Sequence, residues 1–213
     1  MTKFAFDANV VIGLHNIHHL DCIMGKLIEL SDTVYMDKNN VHELTRESGI
    51  AQKRLLERSK IFKEISPGEE DFKKFKMNLA RNKIFLQGPD KYVLYIAQKQ
   101  KVDHVVTFDL TVLRKIDMYR KQHGIKYMKP MTTVSLMRYL YMNKKIKFNE
   151  YLRVVLDYFK YEEMSNLFNA IKDPDRGWDL KAVKERFQLY RDPLLESLRE
   201  RVDGAQTKVD MYG

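Results

Sequence analysis

KFAFDANVV, residues 3–11, is a short apolar run that ends its first half on an aspartate, Asp7, before turning polar and apolar again. A strand buried on both faces reads as a continuous apolar run of this kind, so a strand is expected at about residues 3–7, with a helix following through about Leu30. TVYMD, residues 33–37, reads as a second strand, and DHVVTFD, residues 103–109, repeats the apolar-run-then-acid pattern as a third. Gly124 introduces a fourth near IKYM, residues 125–128. Helical stretches separate these strands, and strictly alternating strands and helices imply a parallel sheet. The expected class is α/β: three layers, α/β/α, around a central parallel sheet of four to five strands.

The helices are marked by their ends. Asn39 or Asn40 can cap the helix that contains VHELTRE. A helical stretch from about Ile50 to Phe62 precedes the break at Ser66-Pro67-Gly68, and residues 69–85 read as helical again. Pro89 suits a first helical turn, with Val93, Leu94 and Ala97 on one apolar face. Another helix is expected at about residues 110–122. Beyond Tyr141 the texture changes to purely helical: Leu152, Val155, Leu156 and Phe159 share one spacing, and Met164, Leu167, Phe168 and Ile171 repeat it. DPDRGWD, residues 173–179, is a linker. A domain at 1–142, with a basic helical segment at 50–83, and an α-helical C-terminal extension at 143–213 are therefore expected.

Charge narrows the class of partner. The 213 residues carry a formal charge of +9, and residues 1–140 hold 24 Lys and Arg against 16 Asp and Glu, whereas residues 141–213 hold 14 against 13. A basic first domain suits a polyanion, nucleic acid above all. No apolar run approaches a membrane span and no signal peptide opens the chain, so a cytoplasmic protein without a membrane role is expected. A single cysteine, Cys22, excludes a disulfide framework and CxxC-type metal sites; it is expected to be a small buried residue.

Asp7 and Asp109 end strands, Asp90 opens a helix, and Glu43 lies early in the helix after the second strand. In an open parallel sheet functional groups gather at the carboxyl ends of strands. Two charges ~4 Å apart repel by roughly 4 kcal/mol at an effective dielectric of 20, so carboxylates gathered there either raise their pKa values or recruit a cation. Oxygen-only donors suit Mg²⁺ or Mn²⁺, which can activate water for phosphodiester hydrolysis. The bland readings are a helix N-cap or a strand-end surface acid for the aspartates, and a solvated helix face for Glu43, where Glu47 is the substitute.

FDANVVIGL, VHEL, DKYVLYIA and VVTFD resemble, in order and spacing, the four acidic motifs of the PIN-domain family, over about residues 1–140. The resemblance implies a PIN-like fold and a metal-dependent endonuclease with RNA as the preferred substrate. It further implies that Asp7, Asp90 and Asp109 hold Mg²⁺ or Mn²⁺ directly or through water, that Glu43 completes the acidic pocket, and that Asn9 and Thr107 support it by hydrogen bonding. The stretch between Glu43 and Asp90 is longer and more basic than a minimal member needs, and the tail after residue 142 lies outside the pattern.

Residues 50–83 hold ten Lys or Arg against five acids, and Lys53, Arg54, Lys73, Lys74, Lys76, Arg81 and Lys83 are the candidate nucleic-acid contacts; a pair of solvated amphipathic helices is the plain alternative. The near-neutral tail suits packing on the first domain, on a second copy in a homodimer, or on another protein. His15, His18 and His19 have helical spacing but no third ligand, and Trp178 reads as a packing anchor. Two other functions compete: a PIN-like RNA-binding component that does not cleave, and a haloacid-dehalogenase-type phosphatase, which requires a second aspartate where this chain has Asn9.

Overall fold

The computed structural model describes residues 1–44, 61–107 and 109–158. Five strands, β1 (Lys3–Phe6), β2 (Thr33–Asp37), β3 (Phe62–Ile65), β4 (His104–Val106) and β5 (Lys129–Met131), form one all-parallel sheet in the order β3-β2-β1-β4-β5. Helices α1 (Ala8–Asn16), α2 (Leu20–Glu29), α3 (residues 38–44), α4 (Glu69–Arg81), α5 (Gly88–Lys99) and α6 (Leu110–Gln122) connect and flank them. The chain belongs to the α/β class expected, with five strands.

Alternation along the strands divides the core. Ala5 and Val105 face a cluster built with Phe72, Phe75 and Leu79 of α4, Val93, Leu94 and Ala97 of α5, and Val112, Ile116 and Tyr119 of α6. Phe4, Phe6, Val34 and Met36 alternate to the other face and are also buried. Each such side chain taken fully from water contributes about 1.5–3 kcal/mol, which is why strands with almost no polar face are tolerated.

Strand order sets where a ligand can enter. The chain steps outward from β1 to β2 to β3, then crosses back to lay β4 on the other side of β1. The connections on either side of β1 and β4 therefore part at the carboxyl ends of these two strands, opening the crevice where doubly wound sheets bind ligands.

Four expectations are corrected. The helix expected from residue 8 to Leu30 is two helices, because His18 adopts a left-handed conformation (φ 60°) and its amide bonds back to the His15 carbonyl at 2.9 Å. The helical stretch expected through Phe62, within the segment 50–83, instead contains β3 at its described end; FKEI buries only Phe62 fully, as an edge strand can. The fourth expected strand begins at Lys129 rather than within IKYM: Gly124 and Met128 both have φ 61°, so the chain is still turning there. Pro130 is accommodated because β5 is an edge. Asp37, rather than Asn39 or Asn40, occupies the position before α3, accepting the Asn39 amide at 2.7 Å.

The chain divides into two compact units, Met1–Thr133 and a second from Val134. In the second, α7 (Thr133–Met142) and α8 (residues 148–158) are joined by an aromatic trio, with Tyr141 stacked on Tyr151 at 5.6 Å and Phe148 edge-on to both. Tyr151, Val154, Val155 and Tyr158 are the buried set of α8, while Leu156 is 48% exposed, so the apolar face is displaced by one position from the one expected. The later helical spacings, the linker and Trp178 lie outside the described residues, as do Glu47, Lys53 and Arg54. No helix among the described residues is long and apolar enough to cross a membrane.

Candidate functional site

Asp7 follows β1 and precedes α1, where its backbone is extended (φ −78°, ψ 149°). It occupies the N-cap position, yet its side chain makes no capping bond. The carboxylate is instead turned inward and only 3% exposed, and its Oδ2 accepts the Thr107 hydroxyl at 2.8 Å. A buried carboxylate with so few donors is costly to ionise. Desolvation, opposed by the Thr107 bond and reinforced by the charges of Asp90 and Glu43, pushes its pKa from 3.8 up to about 6.

Thr107 links two acids across the crevice. Its buried hydroxyl donates to Asp7 from the chain that follows β4, while its Oγ1 accepts the backbone amide of Asp109 at 3.2 Å. Asp109 in turn is the N-cap of α6, its Oδ1 accepting the amides of Thr111 at 2.7 Å and Val112 at 3.3 Å. The bland reading of Asp109 as a helix cap is therefore realised in the structure. These bonds engage only Oδ1.

Asp90 is built in the same way. It is the third residue of α5 and forms a capping box with Gln87, its Oδ2 accepting the Gln87 amide at 3.3 Å. Burial raises its pKa to about 6, with the charges of Asp109 and then Glu43 adding to the rise and the Gln87 amide opposing it. Glu43 lies half-buried on α3 and acts on both Asp7 and Asp90.

The four acids singled out in the sequence thus form one electrostatic group at the carboxyl edge of the sheet. Asp7 senses Asp90 and Glu43, and Asp90 senses Asp109 and Glu43. Mutual influence is weaker than shared coordination: as they stand, no three His, Cys, Asp or Glu side chains among the described residues are arranged to hold a metal ion.

Two polar residues at this edge were not read as site residues in the sequence, where Asn40 figured only as a candidate helix cap. Asp37 ends β2, is 1% exposed, and is raised in pKa by burial, with its Oδ2 lacking a hydrogen-bond partner. Asn40 is fully buried on α3, its Nδ2 donating to the Pro89 carbonyl at 3.4 Å, so it ties the helix of Glu43 to the residue before Asp90. The strand-end acid that flagged Asp7 and Asp109 was equally present in TVYMD.

Asn9 lies exposed on the first turn of α1. Lys73, Lys74 and Lys76 of α4 are exposed, as are Arg81 and Lys83, and Lys76 sits over the Phe72 ring at 5.1 Å. A separate cleft of about 330 Å³, lined by Lys74, Phe75, Tyr95, Gln98, Lys99 and Tyr119 among others, includes none of the four acids. Cys22 is exposed rather than buried, because it falls on α2 between the buried positions Leu20 and Ile23 and is turned off the face they share with Met24 and Leu27.

No family model matches the chain, and no curated protein does. Among solved structures, it is similar to the crystal structure of VapBC2 from Rickettsia felis bound to a DNA fragment from their promoter, with a TM-score of 0.42 and 13% identity over 62% of this chain and 98% of that one.

Proposed function

We propose that this chain is a metal-dependent nuclease that hydrolyses phosphodiester bonds in RNA. The observation that carries the reading is the group of four carboxylates at the crevice between β1 and β4, two of them held near pKa 6. Carboxyl groups raised in pKa by burial and by one another in a crevice are candidates for a functional site. The basic balance of residues 1–140 supplies the polyanion preference.

The donor set fits Mg²⁺ or Mn²⁺, since it consists of hard carboxylate oxygens with neither thiolate nor imidazole in the group. Asp7, Asp90 and Asp109 would hold the ion and Glu43 would complete the pocket. When bound, the cation supplies charge neutralisation and an activated water. The remaining work belongs to the chain. Thr107 holds Asp7 toward the crevice and fixes the start of the Asp109 turn. Gln87 holds one oxygen of Asp90, and the Asn40 contact sets the distance from α3 to the Asp90 turn. The amino ends of α1, α3 and α6 follow β1, β2 and β4 at this same edge, and their partial positive charge favours a phosphate approaching the acids. Water is the nucleophile, with no covalent protein intermediate.

Incubating the full chain with single-stranded RNA, duplex RNA and DNA, each with Mg²⁺, Mn²⁺ or EDTA, tests the reading. Metal-dependent cleavage of RNA that disappears in Asp7→Asn is expected. Cleavage that persists in EDTA or in Asp7→Asn would refute it.

A further inference from the structure

The turn between α4 and α5 displays an aromatic ring to solvent. Phe85 is 72% exposed, more than any other large apolar side chain in the described residues except Met1, and the other exposed ones are aliphatic. Its neighbours explain how it is held out. Ile84 is 1% exposed and Leu86 is 9% exposed, so the alternation that buries both sends Phe85 the other way. The segment is pinned at its start by the Ile84 amide on the Leu79 carbonyl at 2.9 Å. It is pinned at its end by the capping box between Gln87 and Asp90.

An exposed single apolar residue is ordinarily without meaning. This one stands five residues before Asp90, so the two Cα atoms are at most roughly 18 Å apart even if the chain between them were fully stretched. The exposed cations Arg81 and Lys83 precede it by four and two residues. A solvent-facing ring a few residues from two exposed cations, and five from an acid of the proposed site, has the composition of a single-strand platform: the cations take phosphate and the ring takes a base by stacking, whatever its sequence. A paired base in a duplex has no free face to offer.

We infer that Phe85 stacks an unpaired base of the substrate beside the acidic site, with Arg81 and Lys83 on the adjoining phosphates, and so selects single-stranded over duplex nucleic acid. This rests on the proposed function for the class of substrate. It names a contact which that proposal does not need.

The test uses the full chain in EDTA and measures anisotropy of a labelled single-stranded RNA and of an equally long RNA duplex. Phe85→Ala is expected to weaken single-strand binding by between roughly 5-fold and 150-fold while leaving the duplex unchanged. Phe85→Trp should restore it, and Phe85→Leu should not. Equal single-strand binding by wild type and Phe85→Ala overturns the platform, as does equal loss on both substrates. Full rescue by Phe85→Leu would overturn it too, pointing to an apolar protein contact. Should the Phe85 signature appear in a protein that never cleaves with metal, the nuclease reading fails and the platform stands. Metal-dependent cleavage with no Phe85 effect gives the reverse.

Discussion

Replacing Asp7 by Asn isolates the cost of a buried charge. The amide keeps an oxygen for the Thr107 hydroxyl and nearly the same volume, but cannot ionise. Holding the Asp7 pKa near 6 instead of 3.8 means that the folded state binds the proton more tightly than the unfolded chain does. Between these two values the native protein carries more protons, so its stability falls as pH rises through the window. Below about 4 no penalty remains. Above about 6 it is complete, and at about 1.4 kcal/mol per pH unit it reaches about 3 kcal/mol. At 3% exposure there is little solvent to screen it.

Metal-free Asp7→Asn should therefore be more stable than wild type at pH 7.5 by up to about 3 kcal/mol, an increase in Tm of about 6–12 °C for a chain of this size. The difference should shrink toward pH 4. Urea unfolding in EDTA across pH 4–8 measures it, and comparing the two proteins cancels the opposite trends of Asp71 and Asp117, whose pKa values are lowered by their lysine and arginine partners. Adding Mn²⁺ at ~100 times its dissociation constant should then stabilise wild type by roughly 2.7 kcal/mol and Asp7→Asn by far less, closing or reversing the order. A mutant that is less stable than wild type in EDTA at pH 7.5, or a gap indifferent to pH, would refute the burial argument. Equal Mn²⁺ shifts would refute the metal assignment alone.

Thr107→Val removes the hydroxyl that serves both Asp7 and the Asp109 amide; it should cost about 1–3 kcal/mol in urea unfolding and weaken Mn²⁺ binding, with Thr107→Ser restoring both. Unchanged Mn²⁺ affinity in the valine variant would reduce Thr107 to a packing role. Replacing Lys73, Lys74 and Lys76 together by Gln should flatten the salt dependence of single-strand binding by a log–log slope of about 2 while sparing Mn²⁺-induced stabilisation. An unchanged slope would move the phosphate contacts off α4, with Arg114, Lys115, Arg120 and Lys121 the next to replace.

What the sequence made readable follows from burial. β1 and β4 lie in the middle of the sheet, so both their faces had to be apolar, and an acid at the end of each stood out against them. α5 was legible through Pro89 and its apolar face, and α6 was placed to the residue. The edge strands were not legible, because an edge needs little apolar surface: β3 exposes Lys63 and Glu64, and β5 contains a lysine and a proline. The break between α1 and α2 carries neither Gly nor Pro, and left-handed His18 gives no compositional signal. Asn40 was read only as a candidate helix cap, since its role depends on Pro89, distant in sequence and adjacent only in the fold.

Two of the four acids serve as helix caps, and this bears on how the site is held ready. A cap and a ligand are rival explanations only if a carboxylate has one use. Asp109 spends Oδ1 on the amides of α6, and Asp90 spends Oδ2 on the Gln87 amide. Amides that hydrogen-bond the ionised form stabilise it, and they also fix the rotamer, so little side-chain entropy remains to be lost when a cation is engaged. Asp7 has no such cap, and its burial is compensated mainly by one hydroxyl. Burial therefore acts on Asp7 and Asp90 and caps hold Asp90 and Asp109, which leaves Asp7 as the buried acid without a cap. Protonation relieves the repulsion felt by Asp7 and Asp90 below about pH 6, and above it a bound cation would do so. On the proposed metal reading, Asp7, buried and uncapped, would set the strength of cation binding and the capped pair its geometry. The amide that Asp90 accepts belongs to the Gln87 backbone, so Gln87→Pro, at a φ of −70° that proline adopts, is the change that removes it. It should lower Mn²⁺-induced stabilisation in urea unfolding by less than Asp7→Asn does, and an equal loss would refute this division of roles.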